Sequence, residues 1–361
     1  MAGSGLMGEH RRVQWQNGCD EQGCTPGNSL SLATSWARAF ERSFNAMARN
    51  SVRAGVRAAD LGLKSHREKR KPPAGEGDWI AGIVIGAAGA RRYRLHRPAG
   101  IRFGERLPLM VMLHGCGQDA KSFAQSTRMN RIADRERFLV LYPEQDRLAN
   151  PQGCWNWFDT RAGRAAGEAK LIMGAIDQVC LLYAVDRDRI AIAGLSAGAS
   201  MAALLVTRQP DRFKAVVMHS GIAPGSAHSG LSALAAMHGH GVARSLPAST
   251  PSKSTSWPPL LVIHGGKDRT VSASNGHAAV RVWAEAAGAS PLAPRNVQRG
   301  KRHAMAVTDF MAGSVTAASL VEVPQLGHAW SGGTGSQPYG DARGPDASRM
   351  AWAFASRQFR D

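Results

Sequence analysis

The stretch "RIAIAGLSAGAS", residues 189–200, decides how the rest of the chain is read. A short apolar run breaks into Gly194-Leu195-Ser196-Ala197-Gly198. A strand ending in a serine held between two glycines has two readings. One is a tight turn or a serine helix cap with small neighbours. The other is a sharp strand-to-helix turn that pushes the hydroxyl out of the sheet. In a chain with 40 glycines the pattern alone is weak. Its placement is stronger, because "RIAIAG" reads as a strand and "SAGASMAALLVTRQP" as a helix stopped by Pro210. Gly194 and Gly198 remove side chains that would collide around such a turn, and the helix turns its positive end toward any negative charge developing there.

Working outward, the same design repeats. "IAGIVIG" and "RRYRLHRP" predict an opening pair of strands. "LPLMVMLHG" is a continuous apolar run ending in glycine, as expected of a strand buried on both faces, and "RFLVLYPEQ" repeats it after a helical stretch. "EAKLIMGAIDQVCLLYAV" predicts a helix, and "FKAVVMHSG" and "PPLLVIHGG" predict further strands. Strands alternating with helices indicate an α/β fold, a mostly parallel central sheet flanked by helices on both faces. The segment from Ile222 to Pro259 interrupts this rhythm, rich in Ala, Ser, Gly and Pro, and is expected to be a surface excursion.

Composition sets limits. The chain has 361 residues, 43% hydrophobic and 20% charged, the balance of a soluble globular protein. "WIAGIVIGAAGA" is too short to span a bilayer, and the start of the chain has no secretory signal pattern. The formal charge of +18 is spread widely and no nucleic-acid module accompanies it, so basicity names no partner. Cys19, Cys24, Cys116, Cys154 and Cys180 form no C-x-x-C pair, which argues against a zinc site.

Residues 1–77 read as an N-terminal extension and 78–361 as the main domain. Within the extension, Leu32, Trp36, Phe40, Phe44 and Met47 recur at helical spacing, with Arg38, Arg42, Arg49, Arg53 and Arg57 around them. A basic amphipathic helix of this kind binds anionic or hydrophobic surfaces, or packs as an ordinary helix. "SHREKRKPPAGEG" then reads as a linker.

A serine nucleophile needs a base, and the base an orienting carboxylate. "LLVIHGGKDRTV" puts Asp268 in the loop after a predicted strand, and "VEVPQLGHAWSGG" puts His328 beyond a later one. The order Ser196, Asp268, His328 is one in which Ser-His-Asp triads occur. "LHGCGQ" follows the first strong strand, so the backbone N–H of Cys116 can join that of Ala197 as an oxyanion hole. His114, His219 and His264 also end strands and are read as structural; Asp177 lies in a predicted helix, away from the acid position. Trp155 and Trp157, with Phe158, are either core or an apolar substrate wall, and Trp330 is a third candidate for that wall.

"LHGCGQ", "YPEQ", "CWNWF", "GLSAGA", "VIHGGKD" and "LGHAWSGG", in this order, resemble the poly(3-hydroxybutyrate) depolymerase family of esterases, a branch of the α/β hydrolases that includes feruloyl and acetylxylan esterases. The resemblance covers about residues 78–357. It implies an extracellular ester hydrolase needing no metal or organic cofactor, with Ser196 as nucleophile, Asp268 as acid and His328 as base. It also implies that Cys116 and Cys154 pair as a disulfide in an oxidising compartment. Secreted polymer depolymerases usually carry a signal peptide, a linker and a polymer-binding domain; here the added segment is basic and N-terminal. Soluble oligomers, amorphous polyester or a related ester therefore fit better than crystalline polymer. Action through the basic N-terminal segment on a surface or nucleic acid is the alternative of a different class.

Overall fold

The computed structural model describes residues 73, 75–240 and 257–359. The amphipathic pattern at 32–57 and the "LPASTPSKSTSWPP" stretch up to residue 256 lie outside these residues.

The elements alternate as the periodicity requires. A hairpin, β1 (Asp78–Gly86) and β2 (Gly89–Arg97), opens the domain. It is followed by β3 (Leu107–Leu113), helices α1 (Ala120–Thr127) and α2 (Met129–Glu136), β4 (Leu139–Pro143) and α3 (Arg164–Leu182). Next come β5 (Val185–Leu195), α4 (Ala197–Arg208), β6 (Ala215–His219), α5 (Gly230–Met237), β7 (Leu260–Gly265) and α6 (Ser274–Ala287). Short β8 (Ser290–Pro291) and β9 (Arg295–Val297) lead into β10 (Met305–Ala312) and β11 (Val315–Val323). A two-stranded pair, β12 (Trp330–Ser331) and β13 (Gly340–Asp341), precedes α7 (Ala347–Gln358).

The main sheet runs β1-β2-β4-β3-β5-β6-β7-β11-β10-β8, with β9 on β10. Its centre, from β4 through β11, is parallel, while β1–β2 and β8–β10 add antiparallel margins. Fully buried β3, β4, β6 and β7 explain the unbroken apolar runs, since helices cover both faces. Two clusters of buried side chains, one on each face, form the core.

Register aligns the carboxyl ends of the central strands. Leu113 lies opposite Gly194, Leu195 opposite His219, His219 opposite Ile263, and Ile263 opposite Val321. The loops after β3, β5, β7 and β11 therefore leave from one edge of the sheet, where open α/β sheets bind ligands.

The structure corrects part of the reading of Ile222–Pro259. Ile222, Ala223, Ala227, Ala233 and Ala236 are buried, and α5 carries a Ser229/Ser232 capping box. The described part of that segment is packed structure, because its small residues let it lie close against the core. No helix among the described residues is long and apolar enough to cross a membrane.

Candidate active site

The turn after β5 is built by two absences. A Cβ on Gly194 would fall 2.3 Å from the Gly198 carbonyl carbon, and one on Gly198 would fall 2.2 Å from Leu113 O. Both collisions are with backbone, which cannot swing aside. Between them Ser196 is half-buried at φ 56°, ψ −120°, a conformation that costs a non-glycine residue of order 1–3 kcal/mol. Its N–H donates to His219 O at 2.8 Å, tying the turn to the end of β6.

Asp268 and His328 meet although 60 residues apart. His328 Nδ1 donates to Asp268 Oδ2 at 2.8 Å, which leaves Nε2 as the ring's acceptor. Asp268 Oδ1 accepts the N–H groups of Thr270 and Val271, both at 2.9 Å. Burial pushes the Asp268 carboxyl up, but the His328 ring beside it, with His264 and the Val271 N–H, more than offsets this, and its pKa lies below the ordinary value. The carboxylate stays charged and fixes the tautomer of His328.

The other strand-end histidines are supports. His114 Nδ1 donates to Gly115 O (2.8 Å) and its Nε2 accepts the Gln145 N–H (3.0 Å); burial lowers its pKa to about 4. His219 Nε2 accepts the Ser331 N–H (3.0 Å), leaving its proton on Nδ1 toward Ser220 Oγ (3.2 Å); burial lowers its pKa to about 3. His264 Nε2 donates to Val271 O (2.9 Å), and burial lowers its pKa too. Asp177 stands on α3, paired with Arg212.

After β3 the hydrogen bonds are taken by neighbours of Cys116. Gly115 N–H donates to Gln118 Oε1 (3.0 Å), Gly117 N–H to Gln152 O (2.9 Å) and Gln118 N–H to Gly115 O (3.2 Å). The Cys116 N–H between them is uncommitted among the described residues. Ala197 is the first residue of α4, so its N–H has no partner within the helix. Cys116 and Cys154 are joined by a disulfide.

Trp155 and Trp330 correct the idea of a substrate wall. Trp155 and Trp330 have no exposed surface and so touch no substrate in this conformation. Trp155 donates Nε1–H to His114 O (3.1 Å); Trp330 donates to Ser348 Oγ (3.0 Å) and stacks on His219 at 5.0 Å. Trp157 is 8% exposed and packs edge-on against Phe158. Trp155 and Trp330 are core because their indole N–H satisfies a buried carbonyl or hydroxyl while the ring fills volume.

Sequence reasoning missed Glu168, which is buried on α3. Its Oε1 accepts from Gln145 Nε2 and Asn156 Nδ2, both at 2.7 Å, and Oε2 accepts the Asn156 N–H at 2.8 Å. Arg91 approaches the same carboxylate at 3.4 Å. Gln145 Nε2 also reaches Cys154 O (2.8 Å), so one buried charge holds the loop that carries the disulfide. The available signal was a glutamate amid Ala165, Ala169, Leu171 and Ile172, on the apolar stripe of its helix.

With this geometry in place, the sequence profile of the family described as "Esterase PHB depolymerase" matches residues 91–288, more than half the chain. The chain belongs to this esterase family. Among its relatives, a poly(3-hydroxyalkanoate) depolymerase C from Paucimonas lemoignei is 34% identical over 119 residues, covering 33% of this chain and 28% of that one. A probable acetylxylan esterase A from Aspergillus clavatus is 26% identical over 210 residues, covering 54% of this chain and 67% of that one. A feruloyl esterase B from Neurospora crassa is 30% identical over 117 residues, covering 32% and 39%. The matches thus span from 28% to 67% of those relatives. In structure, an acetyl xylan esterase from Aspergillus awamori superposes with a TM-score of 0.55 at 18% identity, covering 70% of this chain and 94% of that one. That likeness establishes for this family member the α/β-hydrolase fold.

Proposed function

We propose that the protein is a serine carboxylic ester hydrolase in which Ser196 is the nucleophile, His328 the base and Asp268 the acid. The observation that carries this reading is the backbone of Ser196, a strained non-glycine residue at the strand-to-helix turn. In the first step His328 Nε2 takes the Ser196 hydroxyl proton as Oγ attacks the ester carbonyl. Asp268 stabilises the imidazolium, and the N–H groups of Cys116 and Ala197 hold the oxyanion. The leaving alcohol departs with the proton from His328. Water, deprotonated by the same ring, then releases the acid and restores Ser196.

For substrate we infer a poly- or oligo(3-hydroxybutyrate)-type polyester, supported by the family match and by the depolymerase C relative. A second reading, acetylated xylan, is favoured by the longer alignment with an acetylxylan esterase. We assign catalysis to residues 78–361 together with the few residues before them that bond to the domain, and surface attachment to the part of residues 1–77 that precedes Pro73. The Cys116–Cys154 disulfide supports maturation in an oxidising, extracellular setting.

The test is turnover by the full chain of hydroxybutyrate oligomers, acetylated xylan and feruloyl esters side by side. Preference for the oligomers by kcat/KM sustains the first reading, and preference for either carbohydrate ester replaces it. Absence of turnover on all of them removes the enzymatic proposal. A truncated chain beginning at Pro73 tests the division of labour. Glu76 N–H donates to Asp134 Oδ2 (2.8 Å), so a cut at residue 77 would remove part of the folded domain.

A further inference from the structure

The start and length of α2, one face of α7 and the segment 297–305 enclose a cavity of about 620 Å³. Six lining side chains are arginines: Arg128, Arg131, Arg135, Arg299, Arg302 and Arg349. Asp346 is the carboxylate that lines it with them. It pairs with Arg349 at 3.5 Å, and Arg135 pairs with neighbouring Glu136 at 2.8 Å.

The other four arginines have no carboxylate partner among the described residues. Arg128 donates to Gly332 O, and Arg302 Nη1 donates to Gly344 O at 2.6 Å. A carbonyl orients a guanidinium without cancelling its charge. Arg131 and Arg299 are exposed at the rim. His303 adds a ring whose buried Nε2 has no hydrogen-bond partner, 3.5 Å from the Asp341 carboxylate. Ile132, Val297, Met305 and Met350 supply apolar wall, which strengthens attraction to a bound anion.

Several like charges converging on one space repel one another, and the arrangement is relieved by a ligand carrying several negative charges. Three separate parts of the chain supply the arginines, so no single charge run explains the convergence. Guanidinium forks match phosphate oxygens bidentately, and a monocarboxylate would neutralise only one of the four. The volume lies in the range of small-molecule sites. We propose that this cavity is a binding site for a linear oligophosphate group. Inorganic triphosphate and the triphosphate tail of a nucleotide present the same chemistry. None of these arginines enters the proposed ester chemistry, so the two proposals stand or fall separately.

The experiment is calorimetric titration of the full chain at about 0.15 M salt, where long-range attraction between exposed charges is screened. The probes are inorganic triphosphate, a nucleoside triphosphate and orthophosphate, at matched ionic strength. Saturable one-to-one binding is expected, with triphosphate roughly tenfold or more tighter than orthophosphate. Arg131→Gln with Arg299→Gln is expected to weaken it roughly tenfold or more. Arg208→Gln with Lys214→Gln, which removes as much charge elsewhere, is expected to leave it unchanged. Equal affinity for both triphosphates assigns recognition to the phosphate chain, and tighter nucleotide binding extends the site to the base. Both sites substituted at the cavity are exposed, and a thermal melt confirms that the variant is folded. Undiminished affinity in the folded cavity variant, or triphosphate binding no tighter than orthophosphate, would overturn the proposal in favour of general basicity.

Discussion

Ser331 donates its backbone N–H to Nε2 of His219 at 3.0 Å, joining the segment that carries His328 to the end of β6. The same histidine accepts the Ser196 N–H on its carbonyl oxygen. One residue thus contacts both the serine turn and the histidine segment without being placed to react.

His219→Ala leaves the Ser331 N–H unpaired and removes the stack on Trp330, at a cost of about 2–4 kcal/mol. Turnover is expected to drop mainly in kcat, because the histidine segment loses its anchor. His219→Gln can accept the same N–H and is expected to recover much of the loss. If both variants keep parental kcat, the anchoring role is wrong.

Ser196→Ala and Ser196→Gly are both expected to lower ester turnover by roughly 10⁴- to 10⁶-fold. They differ in stability. Glycine relieves the positive φ that alanine must keep, so the glycine variant is expected to be more stable, by about 1 kcal/mol. Denaturant melts of the two folded variants measure this, and equal midpoints would mean that the turn stores no strain.

Reduction of Cys116–Cys154 opens a link between residues 38 apart in sequence, worth about 3–4 kcal/mol in the chain-entropy account. A reductant is expected to lower the melting temperature and to slow turnover, because Cys116 also offers the proposed oxyanion donor. Glu168→Gln, which loosens the same loop from beneath, is expected to make turnover more sensitive to reductant. Identical melts with and without reductant, once free thiols are counted, would refute the first part.

Acid weakens the fold through its neutral histidines. Burial holds His114 at about 4 and His219 at about 3, and lowers His264, while an unfolded chain titrates near 6.5. Below pH about 6.5 the unfolded state binds protons that the folded rings refuse, so stability falls as pH falls. Each ring contributes up to about 1.4 kcal/mol per pH unit until its folded pKa is reached. Asp268, with its lowered pKa, adds a further loss only below about pH 4. A melting temperature constant from pH 7 to 4.5 would contradict this.

What was legible in the sequence was local. The strand-turn-helix around Ser196 and the parallel strands announce themselves in short windows, and the chain order of Ser196, Asp268 and His328 follows from placing each after a strand. The antiparallel margin of β8–β10 was not legible, because β10 ("MAVTDFMA") is half-exposed and mixes polar with apolar residues out of clean alternation. The burial of Trp155 and Trp330 depends on His114 and Ser348, 41 and 18 residues away, and no window contains such a pair. The arginine cavity is assembled from three distant segments and leaves no motif at all.

The Cβ-free contact of Gly198 with the carbonyls of Leu113 and His114 has a mechanical consequence. Main chain presses on main chain there, so the start of α4 and the end of β3 move as one body. The spacing between the Ala197 and Cys116 N–H groups is then governed by the skeleton of the sheet rather than by side-chain rotamers. Repacking the core beneath would carry both groups together, so the gap between them is insulated from drift in the hydrophobic residues that surround it.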